Sequence, residues 1–505
     1  MLDTDHYVLL PKSGFIEKTD DNAGGSMHDF PHQELESGHH EMHIEIEGNR
    51  HLIKVIDSVC EGGPKLIEME KILGDKYAAS EMTSDFRLVK AGRYRTCGVG
   101  ASNMQPKQAL SDTLSESVDS DFIKLSITVT DATTGEGIPD ASVIAYFDFA
   151  NKKGSTGTTD SQGGATLTWS KKLPKIPQLL VIPSSDLPIY WGVNELNVAT
   201  QAQMNITMDA VNTDYCDSVR TLYPDPSFDT SLGIVVGIVD TGVSQHEGLN
   251  LIGGENLVKG ESPGDYGSNG DPHGTHVAGI TGAYGKIDGI APGVALRSYR
   301  VFGKGSSDAA GFDIAKAVSV GVSDQCDVLN LSLGVSDNDM LLEEAIEHAR
   351  NSGTLVIAAG NNNYGGEVGY PAAFPNTVAI SAMGRVGTVP TGSQPEVDLS
   401  SDEGSDANNR LATFTSVGKQ VDYIGPGVGV ISTIPDNLYG QLSGTSMACP
   451  VVSGCMASIL AGDAAVNKAE RNRQRSDTMA TLLQESSDSL GFSVIEQGDG
   501  LPKST

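Results

Sequence analysis

The spacing of apolar positions changes twice along the chain and divides it into three stretches. In the first, MHIEIEGNRHLIKVI alternates polar and apolar residues as strands do, KLIEMEKILGDKYAAS has helical spacing, and FRLVKAGRYRT again predicts a strand. A polar run over residues 19–43 is typical of a linker. We therefore predict a small α+β N-terminal region over residues 1–120.

The second stretch, residues 121–210, has only short runs of period two. IKLSITVTDATTGEGIPDASVIAYFDF contains two such runs, and the turn sequences TTGEG and PD interrupt them. Several short strands separated by turns of this kind favour an all-β module. We predict a small β-sandwich here.

The third stretch, residues 215–505, alternates continuous apolar runs such as GIVVGIVD and TLVIAAG with helical segments such as LLEEAIEHARNSG. Strands of a parallel sheet are buried on both faces and lack a polar side, which explains such runs. The pattern predicts a doubly wound, mostly parallel α/β domain. Functional groups of such folds lie at the carboxyl ends of the strands.

Charge and composition restrict the partners more than the fold. The net charge is −31, from 65 acidic and 34 basic residues, so nucleic acid and anionic lipid would repel the chain. We expect neither as a partner, and solubility is the simplest use of this charge. There is no run of about 18 apolar residues, and the first 21 residues, MLDTDHYVLLPKSGFIEKTDD, lack the pattern of a signal peptide. Six cysteines are too sparse for a disulfide scaffold. Cytoplasmic residence is the default expectation, and unconventional secretion stays open.

Three residues of the α/β stretch suggest nucleophilic catalysis. Asp240 ends the apolar run GIVVGIVD, His273 lies in DPHGTHVAG, and Ser446 lies among small residues in GQLSGTSMACP. A serine hydroxyl needs a base to take its proton, and a carboxylate can orient that base and stabilise its cation. Small neighbours and a following helix would admit a substrate carbonyl and stabilise an oxyanion. Each residue alone has a structural explanation, such as a turn cap for Asp240.

Two further residues have less certain roles. Asn361, directly after the strand TLVIAAG, is a candidate donor to the oxyanion, although it also suits a turn. His276 forms an HxxH pattern with His273, but there is no HExxH motif and no evident third ligand. We predict no metal site here and a structural role for His276.

The motifs VDTG, HGTHVAG, AAGN and GTSMACP, in this order, closely resemble those of subtilisin-like serine peptidases (the subtilase or peptidase S8 family). The resemblance covers the chain from Gly233 to about Pro502. It implies a serine endopeptidase in which Asp240 orients, His273 is the general base, Ser446 is the nucleophile and Asn361 supports the oxyanion. It also implies protein or peptide substrates, no cofactor for the chemistry, a possible structural calcium ion, and a zymogen whose N-terminal region inhibits or docks onto the catalytic domain.

The resemblance also suggests substrate-binding residues. In NLSLG, the matching positions imply pairing with the substrate backbone, and in VGYPAAFP a glycine forms the floor of the S1 pocket. From that glycine we predict a preference for bulky apolar P1 residues. The positions are Ser332, Leu333, Gly334 and Gly369. The acidic segment SQPEVDLSSDEGSDANNR is predicted to be a solvated loop.

Two alternatives to a general endopeptidase stay open. One is a narrow-specificity maturation or signalling protease, whose N-terminal module docks one partner. The other is an inactive pseudoprotease that binds peptides, although the complete set of Asp, His, Ser and Asn argues against it.

Overall fold

A computed structural model describes residues 3–12, 14–16, 40–46, 49–60, 62–78, 86–109 and 122–504. The greater part of the predicted linker, residues 19–39, lies outside these ranges.

In its described residues, the first unit has an antiparallel five-stranded sheet with one helix, α1 (Lys71–Ala78). The segment KLIEME, which we predicted to be the start of a helix, is a strand. Its burial alternates, with Ile67 and Met69 buried in the small core, so a period of two outweighs the helical spacing that follows. The strand order is β2-β3-β4-β1-β5, with bounds β1 (Thr4–Pro11), β2 (His40–Ile46), β3 (Asn49–Ser58), β4 (Lys65–Glu70) and β5 (Phe86–Val89).

The segment after β5 leaves this sheet. The single strand predicted over FRLVKAGRYRT is in fact two strands, because the chain turns away from the first sheet between them and the second pairs with strands far along the chain. The elements of this segment are β6 (Arg93–Thr96), β7 (Gly98–Val99), α2 (Ala101–Met104) and β8 (Gln108–Ala109). Among the described residues, β5 is therefore the last strand along the chain that belongs to the first sheet.

Residues 122–210, which we call the two-sheet module, contain a three-stranded sheet (β12-β9-β15) and four strands of a five-stranded sheet (β14-β13-β10-β11-β8), whose edge strand β8 comes from the preceding segment. Both sheets contribute to one core, in which Val143 of the larger sheet and Leu125 and Trp169 of the smaller are buried. The strands are β9 (Phe122–Asp131), β10 (Ser142–Asp148), β11 (Lys153–Thr158), β12 (Gly164–Ser170), β13 (Lys175–Ile182), β14 (Val193–Ala199) and β15 (Gln203–Met208).

The third unit contains the predicted α/β sheet. Its order is β17-β18-β16-β20-β22-β23-β25-β24, with β26 also paired to β23, and every pair is parallel except the two that involve β25. The bounds are β16 (Val235–Asp240), β17 (Leu251–Asn256), β18 (Ala295–Arg300), β20 (Val328–Leu331), β22 (Leu355–Ala359), β23 (Thr377–Arg385), β24 (Leu399–Glu403), β25 (Asn409–Ala412) and β26 (Tyr423–Pro426). The short strands outside this sheet are β19 (Ala309–Ala310), β21 (Leu333–Gly334), β27 (Val430–Ile434), β28 (Leu438–Gly444), β29 (Ser487–Asp488) and β30 (Leu501–Pro502).

Helices cover both faces of this sheet. The helices are α3 (Ser218–Leu222), α4 (His273–Gly282), α5 (Gly311–Ser323), α6 (Met340–Asn351), α7 (Thr445–Gly462), α8 (Ala464–Asn467), α9 (Arg473–Glu485) and α10 (Val494–Gln497), with 3-10 turns at Thr230–Leu232 and Gln394–Asp398. Helices α4 and α7 share one core cluster, and α5 and α6 share the other, on the opposite face. The doubly wound prediction is confirmed. Within the described ranges, only α7 is long and apolar enough to cross a membrane, and it is the buried core helix of this unit.

The acidic segment of residues 393–410 is not simply a loop. It forms the second 3-10 turn and the hairpin of β24 and β25 at the edge of the large sheet. Asp398 and Gln394 are buried there, whereas β24 is largely exposed. The high charge of the segment concealed these buried positions.

The two-sheet module packs directly on the α/β unit. Trp191 is buried within the main core cluster of that unit, and the backbone nitrogens of Gln441 and Asn194 donate across the junction to Pro188 (3.0 Å) and Gly392 (2.7 Å), respectively. The first of these contacts reaches β28, the strand that leads into α7. The module is therefore built into one wall of the region around Ser446.

Candidate active site

Asp240 and His273 form a buried hydrogen-bonded pair. Asp240 is the last residue of β16, and α4 begins at His273, so a strand end and a helix start bring the two side chains together. Nδ1 of His273 lies 2.8 Å from Oδ1 of Asp240, which also accepts the backbone N–H of Thr241 at 2.7 Å. Gly274 lets the helix approach closely, since a Cβ there would lie 2.5 Å from the carbonyl oxygen of Gly242.

The pair has the electrostatics of a general base and its orienting carboxylate. Burial alone would lower the pKa of His273, but the negative charge of Asp240, the hydrogen bond to it and the charge of Asp271 outweigh burial and raise that pKa above its ordinary value. Nε2 of His273 has no hydrogen-bond partner among the described residues. The free nitrogen is thus the one that would exchange a proton with a nucleophile.

Ser446 lies in the first turn of α7, and it is fully buried. The helix is preceded by Gly444, whose φ of 147° suits glycine. The hydroxyl of Ser446 donates to the carbonyl oxygen of Ser332 at 2.8 Å rather than to His273. The structure therefore brings all three predicted residues to one place, with the serine rotamer turned toward the end of β20.

A segment of the chain itself runs through the cleft beside these residues. Strand β6 pairs antiparallel with β21, with Thr96 opposite Leu333 and Arg95 opposite Gly334. The next N–H, that of Cys97, donates to the carbonyl of Ser332 at 3.1 Å. Three of the four predicted substrate-binding residues thus pair with an extended peptide, as a substrate would.

Beyond Cys97 the segment continues along the opposite wall. Strand β7 pairs antiparallel with β28, with Gly98 opposite Gly444 and Val99 opposite Ser443. A Cβ at Gly98 would lie 3.6 Å from Nε2 of His273, so this residue lies directly against the imidazole. The bond from Cys97 to Gly98 therefore crosses the cleft between Ser446 and His273.

Two donors converge on the carbonyl oxygen of Cys97. The backbone N–H of Ser446 lies 3.1 Å from it, and the side-chain amide of Asn362 lies 2.7 Å from it. The carbonyl of that amide accepts both the N–H (3.0 Å) and the hydroxyl (2.9 Å) of Thr445, which fixes its orientation. This arrangement would stabilise negative charge on the Cys97 oxygen during attack on its carbonyl carbon.

The donor is Asn362, whereas the sequence pointed to Asn361. Asn361 has a φ of 83°, and its side chain lies beside the glycines of the S1 region: Cγ is 3.5 Å from a Cβ placed at Gly334, and Nδ2 is 2.7 Å from one at Gly369. The left-handed backbone turns the first asparagine toward the pocket and the second toward the nucleophile. Sequence reasoning missed Asn362 because the AAGN motif ends one residue earlier and the run NNN gives no local signal to choose between them.

The S1 region is narrower than its glycines suggested. Asn361 occupies the space at Gly369, and the thiol of Cys97 lies within 3.8 Å of the Asn361 side-chain oxygen. A pocket of about 420 Å³ opens beside it, lined in part by Arg95, Gly334 and Ser336. The residue that occupies this site in the structure is Cys97, which has a small side chain.

His276 has the structural role expected for it. Its Nε2 contacts the carbonyl oxygens of Val430 (3.0 Å) and Gly440 (3.2 Å), and burial together with the nearby His273 lowers its pKa to about 3. Among the described residues, no group of three His, Cys, Asp or Glu side chains is placed to hold a metal ion.

Comparisons with known proteins agree with this geometry. A family model described as the subtilase family (Peptidase_S8) matches residues 231–500. The chain is similar to alkaline elastase YaB of Bacillus sp. (37% identity over 46% of this chain and 55% of the relative). It is also similar to subtilisin DY of Bacillus licheniformis (34%, over 50% and 85%) and subtilisin Savinase of Lederbergia lenta (36%, over 46% and 77%).

The family model covers more than half of the 505 residues, so the chain belongs to the subtilase family. It is a serine-type endopeptidase of the subtilisin type, a class that needs no cofactor for catalysis.

Proposed function

We propose that the chain is a self-processing serine endopeptidase and that its first substrate is its own Cys97–Gly98 bond. The observation that carries this proposal is the position of the Cys97 carbonyl oxygen, which accepts from Ser446 N–H and Asn362 while Gly98 faces His273. The segment lies along the cleft as a substrate would, with Arg93 at P5, Cys97 at P1 and Val99 at P2′.

The roles of the site residues follow from this placement. Oγ of Ser446 gives its proton to Nε2 of His273 and forms a bond to the carbonyl carbon of Cys97. The C–N bond to Gly98 breaks as His273 returns the proton to the leaving nitrogen. Water then releases the acyl group as a Cys97 carboxylate and restores Ser446. Asp240 holds the imidazole tautomer throughout.

The unprimed half of the segment is anchored by Tyr94, the P4 residue. Its side chain is fully buried in the same cluster as Phe312 and Leu333. Ion pairs extend the contact between the N-terminal unit and the catalytic unit, including one between Lys316 and Asp57. These contacts support an inhibitory role for the N-terminal unit, as expected of a zymogen.

The geometry around Cys97 bears on P1 preference. The sequence predicted a bulky apolar P1 residue, but Asn361 fills the space that such a side chain needs beside Gly369. We therefore favour small P1 residues, and library profiling of P1 would separate the two expectations. A strong preference for Phe or Leu would support the prediction from the sequence.

One further proposal concerns organisation. The two-sheet module is the predicted β-sandwich, supported by the core that its two sheets share. Cytoplasmic residence, a structural calcium ion and the absence of nucleic-acid and membrane partners stay expectations from the sequence. Of the functional alternatives, the intact site favours an active enzyme over a pseudoprotease, and the occupied cleft favours a narrow specificity.

Intact mass spectrometry of the purified chain, beside Ser446→Ala, tests the proposal. The unaltered chain should yield two fragments, residues 1–97 and 98–505, and should react with a fluorophosphonate probe. Ser446→Ala should stay whole and unlabelled. Cleavage at another bond would contradict the assignment of Cys97–Gly98, and an unlabelled, uncut wild-type chain would contradict the proposed activity.

A further inference from the structure

The larger sheet of the two-sheet module has a second apolar face that does not belong to the module's own core. Along β10 and β13, alternate residues point inward to the shared core, and those between them point outward. We call these four outward residues the outer face, and all are buried: Ile144 and Tyr146 (both 0% exposed), Leu180 (0%) and Ile182 (7%).

The cover of the outer face is the segment that follows the proposed scissile bond. Met104 is 3% exposed and belongs to the same cluster, and Val99 and Ala101 pack against its edge. Counted from Gly98 as P1′, Val99 is P2′, Ala101 is P4′ and Met104 is P7′. Among the described residues, the catalytic unit adds Val397 alone to this cluster.

Polar contacts hold the backbone of the same segment. The hydroxyl of Tyr146 donates to the carbonyl of Met104, and the ammonium of Lys152 donates to the carbonyl of Asn103. Further on, the N–H of Lys107 donates to the carbonyl of Lys152 at 2.8 Å, and β8 pairs with β11. Backbone carbonyls are common to every peptide, so these contacts would accept other sequences, whereas the apolar face selects side chains.

The outer face and the cleft are linked through Val99, which pairs with β28 and also packs at the edge of the outer face. Strand β28 binds P1′ and P2′ at one end, and the module docks on that same strand through the bond from Gln441 N–H to Pro188. The module therefore keeps its position relative to Ser446 after the chain is cut.

We propose that the outer face is a primed-side binding site for protein substrates, selecting an apolar residue at P7′ and binding the backbone at P6′ and P7′. This inference deepens the proposed function and rests on it. The occupant is a substrate polypeptide that replaces the chain's own segment on the outer face. It has the chemistry of that segment, with small residues near the cut and a Met-like side chain at the seventh residue after it.

The test compares three substrates on the processed full chain. The first is a quenched peptide with the sequence of residues 93–109, and the second carries M104D in that peptide. The third is a peptidyl-coumarin amide with residues 94–97, which lacks primed residues. We expect kcat/KM to fall about tenfold for the M104D peptide, mainly through KM, since it loses a buried apolar contact made in both ground and transition states.

Enzyme variants locate the effect. Tyr146→Phe keeps the ring, which packs on Phe149 with centroids 5.1 Å apart, but removes the hydroxyl. It should raise KM for the first peptide about fivefold, as expected for one lost hydrogen bond, and leave the coumarin amide unchanged. Tyr284→Phe, at an exposed tyrosine, is the matched control.

The outcomes are distinct. Equal kcat/KM for the two peptides would overturn the inference and leave the proposed function intact. Cleavage of the coumarin amide without cleavage of either peptide would also overturn it, because the chain's own segment would then close the face permanently. Failure to cleave all three substrates, with Ser446 unlabelled, would overturn the proposed function and the inference with it.

Discussion

The side-chain amide of Asn362 lies 2.7 Å from the carbonyl oxygen of Cys97, and this contact identifies the oxyanion donor. Asn362→Ala should reduce kcat for self-cleavage by about 10²–10³, the loss in kcat that follows removal of one oxyanion-hole donor from subtilisin. Asn361→Ala is the matched control and should leave kcat within about tenfold while changing P1 preference. The measurement is the rate at which the Gly98 N-terminus appears. A larger loss of kcat in the Asn361 variant than in the Asn362 variant would show that Asn361, as the motif predicts, is the oxyanion donor.

The pH dependence of self-cleavage follows from His273. A general base must be neutral, and the pKa of this imidazole lies above its ordinary 6.5 because the charges of Asp240 and Asp271 outweigh burial. The rate should therefore fall as the pH falls through a value above 6.5.

Asp240→Asn provides the contrast. With the carboxylate charge gone, burial dominates and lowers the pKa of His273, so the acid limb should move to lower pH while the rate drops by about 10⁴. Rates of cleavage measured across the pH range check both statements. An acid limb below pH 6.5 in the unaltered chain would contradict the raised pKa of His273.

The contact between the N-terminal unit and the catalytic unit should depend on salt. Nζ of Lys316 lies 3.1 and 3.2 Å from the two carboxylate oxygens of Asp57, in a partly exposed pair. Such a pair contributes about 0.2–1 kcal/mol, so Lys316→Gln should weaken inhibition by the N-terminal fragment about 1.4- to fivefold at low ionic strength.

The difference should vanish near 1 M salt, where the screening length is about 3 Å. Lys419→Gln, at an exposed lysine, is the control. Inhibition constants measured at both salt concentrations decide the matter, and a salt-independent effect would point to lost packing instead.

Asp398 should make the fold less stable as the pH rises. It is fully buried, one carboxylate oxygen has no partner among the described residues, and burial raises its pKa to about 7. The folded state therefore holds a proton that the unfolded state, with a pKa of about 4, has lost. Its contribution is most favourable below pH 4 and is lost as the pH rises through 7.

Asp398→Asn removes that charge and should stabilise the chain by about 1–3 kcal/mol at pH 8 and hardly at all at pH 4. Denaturant unfolding at the two pH values, with Ser446→Ala in both proteins to prevent cleavage, measures the difference. A variant that is equally destabilised at both values would mean that the carboxylate is ionised and paired in the fold.

The residues that the sequence predicted well are those whose motif also fixes the backbone. Asp240 closes an apolar strand, and the glycine beside His273 permits the helix to approach, so chemistry and local structure point to the same positions. Asn362 and the S1 region were missed for the opposite reason: one left-handed residue reverses which asparagine faces the nucleophile, and no composition rule determines that.

The path of residues 93–99 was not predictable from the sequence either. A peptide in the cleft is held through its backbone, so Thr96, Cys97 and Gly98 carry little side-chain information about where they lie. The alternation of KLIEME, by contrast, was visible, and the helical spacing that follows it led to the wrong element.

The cut at Cys97 would also change the molecularity of inhibition. While the chain is whole, residues 93–97 occupy the cleft at the effective concentration of a tethered ligand, of the order of millimolar, whatever the amount of protein. Once residues 1–97 form a separate molecule, occupancy of the cleft depends on how much of that molecule surrounds the enzyme. The two-sheet module, which stays attached, is not subject to this change. After cleavage, dilution would lower the fraction of enzyme whose cleft is occupied by the N-terminal fragment. The onset of proteolysis would then depend on local protein concentration as well as on cleavage.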